Sequence, residues 1–139
     1  MDIKQGWDHI LDNLVEYAKD KPSWRVCRLL DDLFDQLSAS LPIEMRVSNA
    51  EVPEKRAGFI WEAGAGLYNR GLFALSVAIS EHALELYREI EGVGGTHGIY
   101  ACYGQMYYCY RAIGDQEKAL EYERRTLQVE KLLRLAGVK

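Results

Sequence analysis

With 139 residues, a net charge of −4 and 48% hydrophobic residues, the chain is long enough to bury a core and too apolar to stay disordered. Its acidic balance argues against nucleic acid as a partner, because phosphate binding asks for a basic face. No run approaches the roughly 18 apolar residues of a membrane span, and the start MDIKQGWDH lacks the basic-then-apolar order of a signal peptide. A cytoplasmic chain with no membrane partner is therefore expected.

Trp7, Ile10, Leu11, Leu14, Val15 and Ala18 recur at steps of three and four, the stripe of an amphipathic helix. Pro22 and Ser23 form a helix start, after which Val26, Leu29, Leu30, Leu33, Phe34 and Leu37 repeat the stripe. Joined by KDKP, the two make an antiparallel hairpin. Residues 41–54, with Pro42 and Pro53 and little periodicity, read as a connection. Helix resumes near Lys55 and runs to Asn69, closed by Arg70-Gly71, and a further helix spans about residues 72–90.

The segment EGVGGTHG is read as a loop, with Thr96 as the cap of a helix from about His97 to Ala112. Gly114 breaks that helix, Asp115 caps the last one, and Gly137 stops it after about Leu135. Nothing alternates with period two. The expectation is an all-α chain, a single domain over residues 1–139 with three hairpins at about 7–41, 55–91 and 97–136.

The second and third hairpins repeat. GFIWEAGAGLYNRG, residues 58–71, aligns with ACYGQMYYCYRAIG, residues 101–114, so that Gly71 meets Gly114 and Leu84 meets Leu127 at an offset of 43 residues. The segment from Tyr100 to Lys131 resembles one complete unit of the tetratricopeptide-repeat family. Tyr103, Met106, Tyr107 and Tyr110 fall at the packing positions of its first helix, Gly114-Asp115 at the turn, Ala119 at the helix crossing and Leu127 at the late apolar position. Residues 58–84 resemble the family through Ile60, Ala63, Gly64, Leu67, Gly71, Ala83 and Leu84, with Ser76 where the crossing alanine stands. The spacing exceeds the usual repeat of about 34 residues and is similar to the longer units of the kinesin light-chain subgroup, although that subgroup's paired asparagines are missing.

The resemblance implies a TPR-like α-solenoid that binds a partner protein or peptide in a concave groove, without enzymatic activity. Carried over by position, the groove residues are Trp61, Ala65, Tyr68 and Asn69 on one first helix and Gly104, Tyr108, Arg111 and Ala112 on the next. Trp61, Tyr68, Asn69, Tyr108 and Arg111 are the binding candidates, since aromatic and arginine side chains dominate interface energies. Tyr100, Tyr103, Tyr107, Tyr110 and Leu127 are assigned to the core. Relatives that grip a chaperone's C-terminal carboxylate use lysines and asparagines at positions that here carry Trp61, Ala65 and Gly104, so that activity is not expected.

Cys27, Cys102 and Cys109 form no Cys-x-x-Cys pair, and His9, His82 and His97 are scattered. Buried reduced thiols are expected, with no metal and no cofactor. No nucleophile elbow, phosphate loop or HExxH motif occurs. Three hairpins are about the minimum for a stable stack, and the competing expectation is a structural or assembly subunit that uses the same surface for homodimerisation or for docking into a larger complex.

Overall fold

The computed structural model describes residues 3–46 and 48–137. Among them the chain is all-helical: α1 (Ile3–Ala18), α2 (Ser23–Ser40), α3 (Val52–Asn69), α4 (Phe73–Arg88), α5 (Val93–Ile113) and α6 (Gln116–Leu135), with one 3-10 turn at Ile43–Met45 and no strand. Each helix packs on its sequence neighbour most closely from α3 onward, and α1–α2 lies against α3 and α4.

Two helix starts differ from the sequence reading. α3 begins at Val52 instead of Lys55, with Pro53 in its first turn. Proline is at home there, because the first N–H groups of a helix have no intrahelical acceptor to lose. α5 begins at Val93 instead of His97 and absorbs most of the glycine-rich segment. Only Gly92, at φ +90°, is a turn glycine. Gly95 and Gly98 are helical, and a Cβ on Gly95 would strike the Ile90 carbonyl oxygen, while one on Gly98 would strike the Tyr87 ring. These glycines serve close approach of α5 to the end of α4. Thr96 is consequently no cap: it lies inside the first turn and donates its hydroxyl to the Gly92 carbonyl at 3.3 Å.

The two turns of the repeat are built alike. Gly71 at φ +80° and Gly114 at φ +92° both take the left-handed conformation. After α3, Gly71 N–H donates to Tyr68 O at 2.9 Å and Leu72 N–H to Leu67 O at 3.0 Å. After α5, Gly114 N–H donates to Arg111 O at 3.2 Å and Asp115 N–H to Tyr110 O at 3.0 Å. Every donor and acceptor in the second pair stands 43 residues beyond its counterpart, and both sets follow the Schellman pattern that satisfies orphan carbonyls. Asp115 then caps α6, accepting from Lys118 N–H at 3.1 Å. Gly114→Val should cost on the order of 1–3 kcal/mol, because a β-branched residue resists positive φ. A melting temperature equal to that of the wild type would contradict the turn geometry.

The core runs continuously through all six helices, from Leu11 and Leu14 through Leu30, Ile60 and Ile79 to Met106 and Tyr122. Where α3 crosses α4, buried Ser76 donates to the Gly64 carbonyl at 2.7 Å and accepts from the Cys109 thiol at 3.3 Å. A serine is nearly as small as the alanine expected at this crossing, and its hydroxyl is satisfied, so the close approach survives. α1 seats Leu11 on Gly66, where an added Cβ would fall 2.5 Å from Leu11 Cδ1. Polar pairs tie the same hairpin down: Arg70 with Asp12 at 2.8 Å, and His82 Nε2 with Asp31 Oδ2 at 2.8 Å. Arg56 also bridges to Asp35 and stacks on Phe34.

Leu127 is not core. Its counterpart Leu84 is 4% exposed, whereas Leu127 is 56% exposed. The cause is positional: α5 covers α4, but no helix covers α6 among the described residues. The tyrosine face of α5 divides as well. Tyr103 and Tyr110 pack on Tyr122 of α6, at centroid distances of 5.9 and 5.5 Å. Tyr100 and Tyr107 lie on the other side and remain half-buried, Tyr107 still packed against the core.

Candidate functional site: a tyrosine-lined groove

Three helices enclose a groove of about 450 Å³. α3 supplies Trp61, Ala65, Tyr68 and Asn69 as one wall. These residues recur at steps of three and four on the face of α3 turned away from the buried Ile60, Ala63 and Leu67. α5 supplies the floor and part of the far side, through Tyr100, Ala101, Gly104, Gln105, Tyr107 and Tyr108. α6 completes the far wall with Glu123, Thr126 and Leu127.

The floor is low because of Gly104. A Cβ built there meets nothing within 4 Å, so packing does not require glycine at this position. Its effect is to leave room between Tyr100, Tyr107 and Tyr108. Tyr107 and Tyr108 meet edge to face, with centroids 5.1 Å apart, and Tyr108 is 54% exposed. A large apolar ring held open to solvent carries a free-energy cost that burial by a ligand removes.

Trp61 has two duties. It is half-buried against the core, and its indole N–H donates to the Ala101 carbonyl of α5 at 3.1 Å. It thus sets the distance between α3 and α5 while presenting its ring to the groove. Trp61→Ala would disturb folding and lining together, which makes it a poor probe of binding alone.

Of the five candidates taken from the sequence, the fold brings four to one groove: Trp61, Tyr68, Asn69 and Tyr108. Arg111 lies outside it, exposed, with a guanidinium N–H donated to the Tyr107 hydroxyl at 3.3 Å. Ala65 and Gly104 line the groove, and Ala112 does not. Sequence reasoning missed Tyr100, Tyr107, Gln105 and the whole contribution of α6. The available signal was Gly104 itself, a glycine in mid-helix flanked at helical spacing by tyrosines 100, 107 and 108. Such a glycine, unexplained by a turn, marks either a close backbone approach or an opening.

Burial pushes the Cys102 thiol behind the floor up to about 12 from its ordinary 9.0, which disfavours the reactive thiolate. Cys27 is pushed up to about 11, mainly by burial and then by the Asp31 charge. Among the described residues no group of three or more His, Cys, Asp or Glu side chains could hold a metal ion, and no helix is long and apolar enough to cross a membrane. What the groove offers is apolar area with hydrogen-bonding groups at set points: tyrosine hydroxyls, two side-chain amides, a threonine hydroxyl and one carboxylate. No protein-family model, no curated protein and no solved structure matches the chain.

Proposed function

We propose that this chain is a tetratricopeptide-like interaction module, non-enzymatic and cytoplasmic, whose groove between α3, α5 and α6 holds a peptide segment of a partner protein. The observation that carries the reading is Gly104, where the helix gives up a side chain that packing would accept, in the middle of an aromatic cleft. The repeated Schellman turns support the tetratricopeptide-like assignment, because they fix two helical hairpins in the same way 43 residues apart. Three free, buried cysteines fit a reducing compartment.

A second reading rests on α6, which exposes Leu120, Leu127, Leu132 and Leu135. An uncovered face of this kind suits assembly with another copy or a larger complex.

Gly104→Leu separates binding from folding. The leucine has space to occupy, and replacing a mid-helix glycine removes an entropic penalty of about 0.5–1 kcal/mol. The variant should melt at or above the wild-type temperature and lose the partner that the wild type captures from native lysate. Undiminished capture by a folded Gly104→Leu variant would place binding on another face.

A further inference from the structure

Every ionisable side chain in the groove is a tyrosine except Glu123; no lysine, arginine or histidine lines it. Elsewhere on α6, Glu121 pairs with Lys118 and Arg125, and Glu130 with Arg134. Glu123 is exposed on the lip and makes no ion pair among the described residues. It leaves the groove with a negative edge that nothing in the lining neutralises.

The floor adds a second acceptor. Gln105 is 8% exposed, and its amide orientation is fixed by its partners. Nε2 donates to Ser80 Oγ at 2.7 Å and lies 3.4 Å from the Trp61 carbonyl oxygen. A flipped amide would set two carbonyl oxygens against each other, so Nε2 must face inward. Oε1 is left without a donor among the described residues, and it is not among the buried side-chain polar atoms that lack a partner, of which Asp31 Oδ1 is the sole case there, so it keeps access to solvent. A carbonyl oxygen thus opens at the base of the cleft and a carboxylate stands at its rim. Both accept hydrogen bonds and neither is matched by a cation.

Resting on the groove reading above, we infer that the occupant is a partner segment in which a lysine or arginine stands between apolar residues. The long stem of such a side chain lies along tyrosine faces while its charged head reaches a carboxylate. Aromatic faces attract the cation in addition. The apolar neighbours cover Trp61, Tyr68 and Tyr108. An acidic segment is disfavoured by repulsion from Glu123 and by the absence of a cation from the lining itself, the Arg111 guanidinium standing outside it and engaged with the Tyr107 hydroxyl.

A random linear-peptide library panned against immobilised wild type, Gly104→Leu and Glu123→Lys tests this. All three proteins are first checked for equal helicity by circular dichroism. Wild type should retain peptides whose ratio of Lys and Arg to Asp and Glu exceeds that of the input by about threefold or more, the scale of a partly exposed ion pair with cation–π support. Gly104→Leu should retain none of them, and Glu123→Lys should shift the retained set toward Asp and Glu. Retained peptides that need Gly104 open but show no basic excess, or that ignore Glu123→Lys, would overturn the charge inference and leave the groove reading intact. No groove-dependent peptide at all would overturn both. A dimer that Gly104→Leu abolishes, with no peptide retained, would make a second copy the occupant and overturn the inference.

Discussion

Gly98→Ala should destabilise the protein by about 2–3 kcal/mol, while Gly104→Ala, six residues further along the same helix, should stabilise it by about 0.5–1 kcal/mol. Intrinsic propensity predicts the same sign for both, because alanine restricts the unfolded chain and suits a helix better than glycine. The surroundings reverse it at one site. At Gly98 an added Cβ overlaps Cγ, Cδ1 and Cε1 of the Tyr87 ring. Those atoms cannot swing aside as the tip of a flexible chain would, since Tyr87 is buried at the end of α4 and belongs to the core. Either the ring leaves its site or α5 moves off α4. At Gly104 nothing lies within reach. Chemical denaturation of the two variants reads the difference directly, and a stabilising effect at Gly98 would show that α4 and α5 do not meet as described.

Leu67→Ala should cost about 2–5 kcal/mol and Leu127→Ala about 0.5 kcal/mol or less. The repeat suggests that late leucines such as Leu84 and Leu127 are equivalent, but exposure decides which truncation leaves a cavity. Leu67 is 0% exposed between α3 and the helices packed on it, and removing three carbons there leaves a void that close-packed neighbours fill only in part. Leu127 borders solvent and the groove, so its removal leaves no void. Its loss should show in partner binding instead. A Leu127→Ala variant that melts as early as Leu67→Ala would mean that something covers α6 in solution, in line with the assembly reading.

The helices, the repeat and the turn glycines were legible in the sequence because each rests on local physics. Apolar stripes at steps of three and four mark the helix faces, Gly114 needs positive φ, and Asp115 supplies the oxygen that α6 needs at its start. Misreadings arose where one residue type serves two purposes. Gly95 reads as loop because glycine usually breaks helices, yet here it permits close approach of α5 to the end of α4. Pro53 read as a break although the first turn of a helix accepts proline. The α3 wall was legible through the family pattern, since position on the first helix determines which side chains face away from the core.

The α6 wall was not legible, because Leu127 was equated with Leu84 and a periodic pattern does not reveal which helix is left uncovered. Arg111 was misplaced for a related reason. A side chain that long takes its direction from its nearest partner, and the Tyr107 hydroxyl lies just one turn behind it. Tyr100 and Tyr107 share a stripe with Tyr103 and Tyr110 but line the groove instead of meeting Tyr122, Tyr107 packing on the core as well.

A partner that binds in the groove must seat over Tyr108, which is exposed at its edge. Replacing Tyr108 with the photoreactive aromatic p-benzoylphenylalanine keeps a ring at the exposed edge of the groove, and the same residue at Arg28, exposed on α2 and outside the groove lining, serves as the control. Irradiation in the native lysate should give a discrete covalent adduct from position 108, none from position 28, and none from position 108 when Gly104→Leu is added. Adducts formed equally at both positions, or an adduct at position 108 that persists with the groove filled, would contradict a partner bound in this cleft.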